Sequence, residues 1–192
     1  MQILRTSLFA VSVLALGFSL PAVAAETYTL DPMHTQVVWS INHFGFSNPS
    51  GKFALIEGTL TLDEVKPENS KVEATIKVAN LVTGLDKLNE HLLSDKFFDA
   101  TQFPTATFVS SKVELTGKDT AKVTGALTLH GITKQVALDV KLNKIGENMM
   151  KKKTAGFSAT AVLKRSDFGM TTYLPALGDE VKIGIETEAN LK

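Results

Sequence analysis

Apolar and polar residues alternate with period two along most of the chain. Val37, Trp39, Ile41 and His43 share one parity, with Gln36, Ser40 and Asn42 on the other. Ile56, Gly58, Leu60 and Leu62 alternate with Glu57, Thr59 and Thr61, and Val72, Ala74, Ile76 and Val78 with Lys71, Glu73, Thr75 and Lys77. This is the period of a strand with one buried face. Further strands are predicted over 105–114, 121–130, 135–143, 154–165 and 181–190. Within them Val136, Leu138, Val140 and Leu142 oppose Ala137, Asp139 and Lys141, and Phe157, Ala159, Ala161 and Leu163 oppose Ser158, Thr160 and Lys164. Val181, Ile183 and Ile185 oppose Lys182 and Glu186. Turn chemistry separates the strands: Pro67 and Asn69, Gly117 and Asp119, His130-Gly131, and Gly146-Glu147-Asn148. The connections are short, so neighbours are expected to pair as antiparallel hairpins.

One segment departs from the pattern. Leu85, Leu88 and Leu92 follow helical spacing, Phe97-Phe98 close the segment, and Pro104 precedes the next strand. The expectation is an all-β chain of about eight strands with one short helix, within 85–98, inserted after the third. Such strands form either a sandwich or a closed barrel, and an eight-stranded barrel packs its interior or holds one small ligand, as lipocalins do. The predicted strands run about 8–11 residues against a usual 5–6. Ten residues at about 3.3 Å each span roughly 33 Å, which suits an extended chain molecule. Small inward residues are expected at Gly58, Ala74, Ala106, Gly125, Ala126, Ala159 and Ala161. They either leave room for a ligand or relieve crowding in a packed core, and the pattern leaves both open.

The N-terminus bears on compartment. Arg5 is the one charged residue of 1–24; an apolar run from Leu8 to Leu20 follows, then Pro21 and Ala22-Val23-Ala24. A basic start, a short apolar core and an A-x-A site make a secretory signal peptide, expected to be cut after Ala24. The run is shorter than the roughly 20 residues of a spanning helix, and no Cys is present for lipoprotein processing. Residues 25–192 then form one expected domain, delivered to the periplasm. Lys and Arg total 20 and Asp and Glu 20, so removal of Arg5 leaves a net charge near −1. No basic field is present to attract nucleic acid, and without Cys neither thiol catalysis nor a Cys metal site arises.

Five segments, in this order, resemble the YceI family of periplasmic lipocalin-like proteins. They are Asp31-Pro32-Met33-His34-Thr35-Gln36-Val37 leading through Trp39 to His43-Phe44-Gly45-Phe46-Ser47; Gly51-Lys52-Phe53 with Glu57-Gly58-Thr59-Leu60; 89–99 with 103–108; Val123 to Lys134; and Lys164-Arg165-Ser166-Asp167-Phe168-Gly169-Met170, with Val181 opening the last strand. The resemblance spans about 28–190. It implies an extended barrel whose lumen holds an amphiphile with a long apolar tail, such as a polyprenyl compound or isoprenoid quinone, with fatty-acid-like or amide-type molecules taken by related members. It also associates the family with homodimers and stress-responsive expression. Relatives often carry Arg-Asp before the His of the third segment, where this chain has Asn89-Glu90.

The expected ligand contacts are Val37, Trp39, Ile41, Leu60, Ile76, Phe108, Leu127, Leu129, Leu138 and Phe157, with Leu88, Leu92, Phe97 and Phe98 covering an opening. Each is equally an ordinary core position. The four His, at 34, 43, 91 and 130, show no H-x-H or i, i+4 pair, so neither metal nor cofactor is expected. His43 and His91 read as polar contacts near a barrel mouth or as hydrogen-bonded rim residues. Arg165, the one Arg after the leader, reads as a clamp closing the barrel or as a contact to a ligand oxygen; in an extended strand Asp167 would share its face. Lys151-Lys152-Lys153 reads as a solvated hairpin flank or, alternatively, a headgroup contact. Three functions compete: a lipid carrier, an enzyme acting on a bound amphiphile, and a partner-binding module. No G-x-S-x-G motif or clustered acid pair supports an enzyme, and Thr, Lys and Glu on the outward faces oppose a large apolar docking patch.

Overall fold

A computed structural model describes residues 25–192; the expected leader and its cleavage position lie outside the described residues. The strands are β1 (Glu26–Leu30), β2 (Gln36–His43), β3 (Ser50–Phe53), β4 (Glu57–Leu62), β5 (Lys71–Lys77), β6 (Leu81–Val82), β7 (Thr105–Leu115), β8 (Thr120–Leu129), β9 (Ile132–Glu147), β10 (Lys153–Lys164) and β11 (Leu177–Leu191). Among the described residues one α-helix, α1 (Asp86–Leu93), stands between β6 and β7. Three pairs of segments are single strands interrupted by a bend. β1 pairs with β4 while β2 pairs with β3, and β4 pairs with β5 while β3 pairs with β6. The chain therefore folds as eight antiparallel strands in sequence order, and the last closes on the first through Tyr28↔Leu191 and Val37↔Ile185. Closure leaves no continuous exposed edge.

Local chemistry sets the connections. β8 and β9 join through a two-residue turn in which His130 and Gly131 both take positive φ, 51° and 73°. That is the primed geometry matching strand twist, and it favours Gly at the second position. α1 is shorter than expected: the Ser94 hydroxyl donates to the His91 carbonyl and ends it, and residues 94–103 return as tight turns. Asn89 has a local task, since its Oδ1 accepts from the Thr83 amide at 2.9 Å and the Thr83 hydroxyl at 2.8 Å. β9 and β11 run longer than predicted, at 16 and 15 residues.

The two ends of the barrel differ. One carries the connections 44–49, 83–104, 130–131 and 165–176; the other carries 63–70, 116–119 and 148–152. At the first, Phe53, Val78 and Leu81 are buried under Leu92, Leu93 and Phe98. Near the second, Tyr28, Leu30, Leu60, Leu62, Ala155 and Ala189 pack along the closing seam.

Arg165 lies in a 3-10 turn, Arg165–Phe168, where an extended strand was expected. The turn removes Asp167 from its face. Buried Arg165 donates from Nε to the Gly178 carbonyl at 2.8 Å, and from its two terminal nitrogens to those of Met170 at 2.8 Å and Leu177 at 3.0 Å. Asp179, not Asp167, is the nearby carboxylate, and it accepts from the Ser166 amide and hydroxyl. His130 Nδ1 fixes the same turn by donating to the Phe168 carbonyl at 2.9 Å. This is the clamp geometry: a planar donor satisfying three carbonyls that connect β10 to β11.

Candidate functional site

A cavity of about 500 Å³ occupies the barrel interior. The inward parity of every strand but β6 supplies its wall. Val37 and Trp39 come from β2, Leu60 and Leu62 from β4, Val72, Ala74 and Ile76 from β5, and Ala106 and Phe108 from β7. Leu127 and Leu129 of β8, Leu138 of β9 and Phe157 of β10 complete the set of expected strand contacts that the cavity brings together. Of the segment meant to cover an opening, Phe98 alone reaches the wall, closing the helix end together with Phe53 and Val78.

The remaining expected contacts are placed elsewhere. Ile41 has the parity of Trp39, but β2 runs on past the wall and pairs there with Val181. His43 is exposed at a hairpin, its ring edge-on to Phe44. His91 is exposed on α1 and meets Phe97, which is buried between it and Tyr173. Leu88 is half-buried outside the wall, and Leu92 packs behind it in the cluster around Val78. Arg165 spends its donors on carbonyls, as described above. Both histidines thus sit at the helix end, away from the cavity mouth.

Sequence reasoning missed Val113, Leu115 and Ile145, which also line the cavity. Each follows a bulge. The register of β7 on β8 shifts between Ser110 and Lys112, so the inward parity changes from Ala106-Phe108-Ser110 to Val113-Leu115. Opposite Gly156 and Phe157, β9 accommodates one extra residue, and the inward face passes from Leu142 to Ile145. A bulge inserts one residue and reverses the parity after it, which alternation alone does not reveal. The small residues divide between their two readings. Ala74, Ala106, Ala159 and Ala161 line the cavity and leave it open. At Gly58 a Cβ would lie 2.3 Å from the Glu73 carbonyl oxygen, and at Gly125 one would lie 2.5 Å from Phe108 Cζ. Ala126, expected inward, has the outward parity of Thr124 and Thr128 because Gly125 and Leu127 take the inward one.

The hydroxyls inside the wall are already bonded. Thr35 and Thr187 hydroxyls pair at 2.9 Å, and Ser110 Oγ accepts from the Val72 amide at 2.9 Å. Trp39 Nε1 is buried and has no hydrogen-bond partner among the described residues. Charged and polar side chains gather at the mouth, between 63–71 and 118–120: Asp63, Glu64, Ser70, Lys71, Lys118, Asp119 and Thr120. Lys153, expected on a solvated flank, bridges this rim instead, 2.5 Å from Glu26 and 2.6 Å from Glu64. The Glu26 carboxylate, then that of Glu64, hold the Lys153 ammonium well above its usual range. Lys153 in turn, with the Tyr28 hydroxyl, holds Glu26 below the usual carboxylate range.

Outside the barrel, Asp31, His34 and Glu188 bring one ligand-type atom each within 4.8 Å of one another. Asp31 is occupied by hydrogen bonds from the Met33 amide and from His34 Nδ1, both at 2.9 Å. The Asp31 carboxylate holds the His34 imidazole above its ordinary value. Asp31 and His34 belong to the turn between β1 and β2, and Glu188 lies beside it on β11.

The match to known proteins covers the whole barrel. A family model of the YceI-like domain matches residues 28–189. The chain belongs to the YceI-like family. A UPF0312 protein of Pseudomonas putida (strain W619) is 41% identical over 163 residues, covering 82% of this chain and 84% of that one. Among solved structures, Burkholderia cenocepacia BcnA superposes with a TM-score of 0.75 at 26% identity, over 83% of this chain and 98% of that one. A polyisoprenoid binding domain from Saccharophagus degradans, implicated in plant cell wall breakdown, shares the fold with a TM-score of 0.67 at 14% identity, over 86% of this chain and 98% of its own. The eight-stranded closed barrel is thus the architecture of YceI-like proteins, and the segments that carried the resemblance supply part of its wall, its helix-end closure and its clamp.

Proposed function

We propose that this protein binds one long, apolar isoprenoid lipid, a polyprenyl compound or isoprenoid quinone, in the barrel and carries it through the periplasm. One observation supports this most: the cavity wall is apolar from the mouth to the Trp39–Phe98 end, with the hydroxyls of Thr35, Thr187 and Ser110 held in hydrogen bonds within the protein. Burying a branched five-carbon unit resembles burying a Leu side chain, at about 1.5–3 kcal/mol. Four units would contribute about 6–12 kcal/mol before the cost of ordering the tail. The binding named for the Saccharophagus domain, on the same fold, agrees with such cargo. The apolar leader sequence supports export. We read the protein as a carrier and not an enzyme because the interior hydroxyls are committed to structural hydrogen bonds.

Trp39 is the single Trp of the chain and lines the cavity, so its fluorescence reports occupancy. Delipidated protein titrated with a polyprenol or an isoprenoid quinone should show a saturable one-to-one change. Ala159→Phe, which fills the lumen, should weaken binding at least ~30-fold while costing about 1–3 kcal/mol of stability from overpacking. A response equal in both proteins would place the lipid elsewhere. Preference for a fatty acid over the isoprenoids would replace the ligand class and keep the cavity.

A further inference from the structure

Two of the three loops at the mouth, 63–70 and 148–152, carry apolar side chains that stand in solvent. Met149 is fully exposed, at 101%, Met150 is 75% exposed and Val65 is 65% exposed. Leu115, at the end of β7, is 53% exposed. Lys66, Lys118, Lys151 and Lys152 stand exposed beside them. These tips are held in place. Asn148 Oδ1 accepts from the Met150 amide at 2.8 Å and the Lys152 amide at 3.1 Å, and its Nδ2 donates to Asn190. Asp63 Oδ1 accepts from the Val65 and Lys66 amides, and Oδ2 from Asn69. A hairpin turn needs only small polar residues. Here an ordered turn holds two Met side chains in water, although Met ordinarily fills cores.

Charge distinguishes this end from the other. On the mouth loops, Asp63 is turned into its own loop and Glu64 holds Lys153, which leaves Glu68 and Asp119; beside them Glu147, at the end of β9, lies 3.8 Å from Lys151, so Lys66, Lys118 and Lys152 are the loop lysines without an ion pair among the described residues. At the helix end, Phe44, Phe46 and Leu85 are also exposed. Their surroundings are acidic, with Asp86, Glu90, Asp95, Asp99 and Asp167 against Lys87 and Lys96.

We propose that the mouth docks on an anionic phospholipid bilayer, with Met149, Met150 and Val65 entering the headgroup layer and Lys66, Lys118, Lys151 and Lys152 meeting its phosphates. The rim residues around the opening, Leu115 and Lys118 among them, also line the cavity, so docking sets the lumen directly against the membrane. Apolar insertion with lysine flanks is the usual composition of reversible interfacial binding. This inference rests on the carrier reading, since it supplies the place where cargo enters and leaves.

The test is sedimentation of the purified protein with vesicles of phosphatidylcholine alone and of phosphatidylcholine with phosphatidylglycerol. Binding is expected to the anionic vesicles and to weaken with salt. Met149→Ser with Met150→Ser should reduce it about tenfold, and Lys151→Glu with Lys152→Glu should do the same. Neither pair lines the cavity, so both variants should keep the Trp39 response to lipid, which also reports that they fold. Wild-type protein that ignores anionic vesicles, or variants that bind them equally well, would overturn the proposal. So would a double Ser variant that merely converts a dimer to a monomer. Vesicle binding without any Trp39 response would leave docking standing and remove the isoprenoid cargo.

Discussion

The two ends of this barrel are closed by different physics. The helix end is sealed by burial: Phe53, Val78, Leu81 and Phe98 pack together, and Arg165 ties the adjoining turn to three carbonyls. The mouth is held by hydrogen bonds and charge: Asp63 and Asn148 organise two loops, and Lys153 joins Glu26 to Glu64 across them. Apolar packing excludes water and resists partial opening. Surface charge pairs contribute little to stability and can part at small cost. On the function proposed above, a tube with one end of each kind takes up its lipid at the charged end.

Arg165→Ala should have the largest effect on the difference between the ends. It leaves three carbonyls, of Gly178, Met170 and Leu177, without their donor at a buried site. Urea denaturation should show a loss of about 3–5 kcal/mol. A loss under about 1 kcal/mol would mean that the clamp is not what holds the helix end. Next, Phe98→Ala should cost about 2–3 kcal/mol through a cavity in the packed end, while Val65→Ser at the mouth should stay within about 0.5 kcal/mol. Equal effects would erase the distinction between the ends.

Much of this was legible in the sequence, for one reason. Strict alternation in β4, β5, β8 and β10 fixes which residues face inward, and Leu60, Ile76, Leu127 and Phe157 all lie on the cavity wall. Legibility failed where closure bends the ladder. The bulges near Ser110 and Asn143 reverse parity, and they arise from register between strands far apart in sequence. The helical segment shows the other limit. Phe97 and Phe98 are equivalent by composition, yet the turn after Ser94 sends Phe98 to the cavity and Phe97 toward His91 and Tyr173. Arg165 stood out as the lone Arg, but its partners are backbone carbonyls, which no residue pattern marks.

Acid should loosen the mouth loops. Backbone amides of Lys66 and Val65 and the Asn69 side chain hold Asp63 below its ordinary 3.8, and Lys153 and the Tyr28 hydroxyl hold Glu26 below 4.5. Groups with depressed values stabilise the fold above the unfolded value, and that contribution is lost as pH falls through the folded one. Amide exchange in 63–70, corrected for its intrinsic pH dependence, should therefore show protection falling below about pH 3.8 while protection around Phe53 and Leu81 persists. Simultaneous loss at both ends would show that the loops are not independently held. This is the smallest of the expected effects, since these carboxylates are open to solvent.

The central claim is that the lumen holds an isoprenoid lipid. Its most direct test is organic extraction of the protein isolated from the organism that makes it, followed by mass spectrometry. The account predicts one polyprenyl or isoprenoid-quinone species at close to one per barrel, lost in Ala159→Phe and kept in the Met149→Ser, Met150→Ser variant. A barrel that yields no lipid, and whose Trp39 fluorescence ignores every isoprenoid offered, would contradict it.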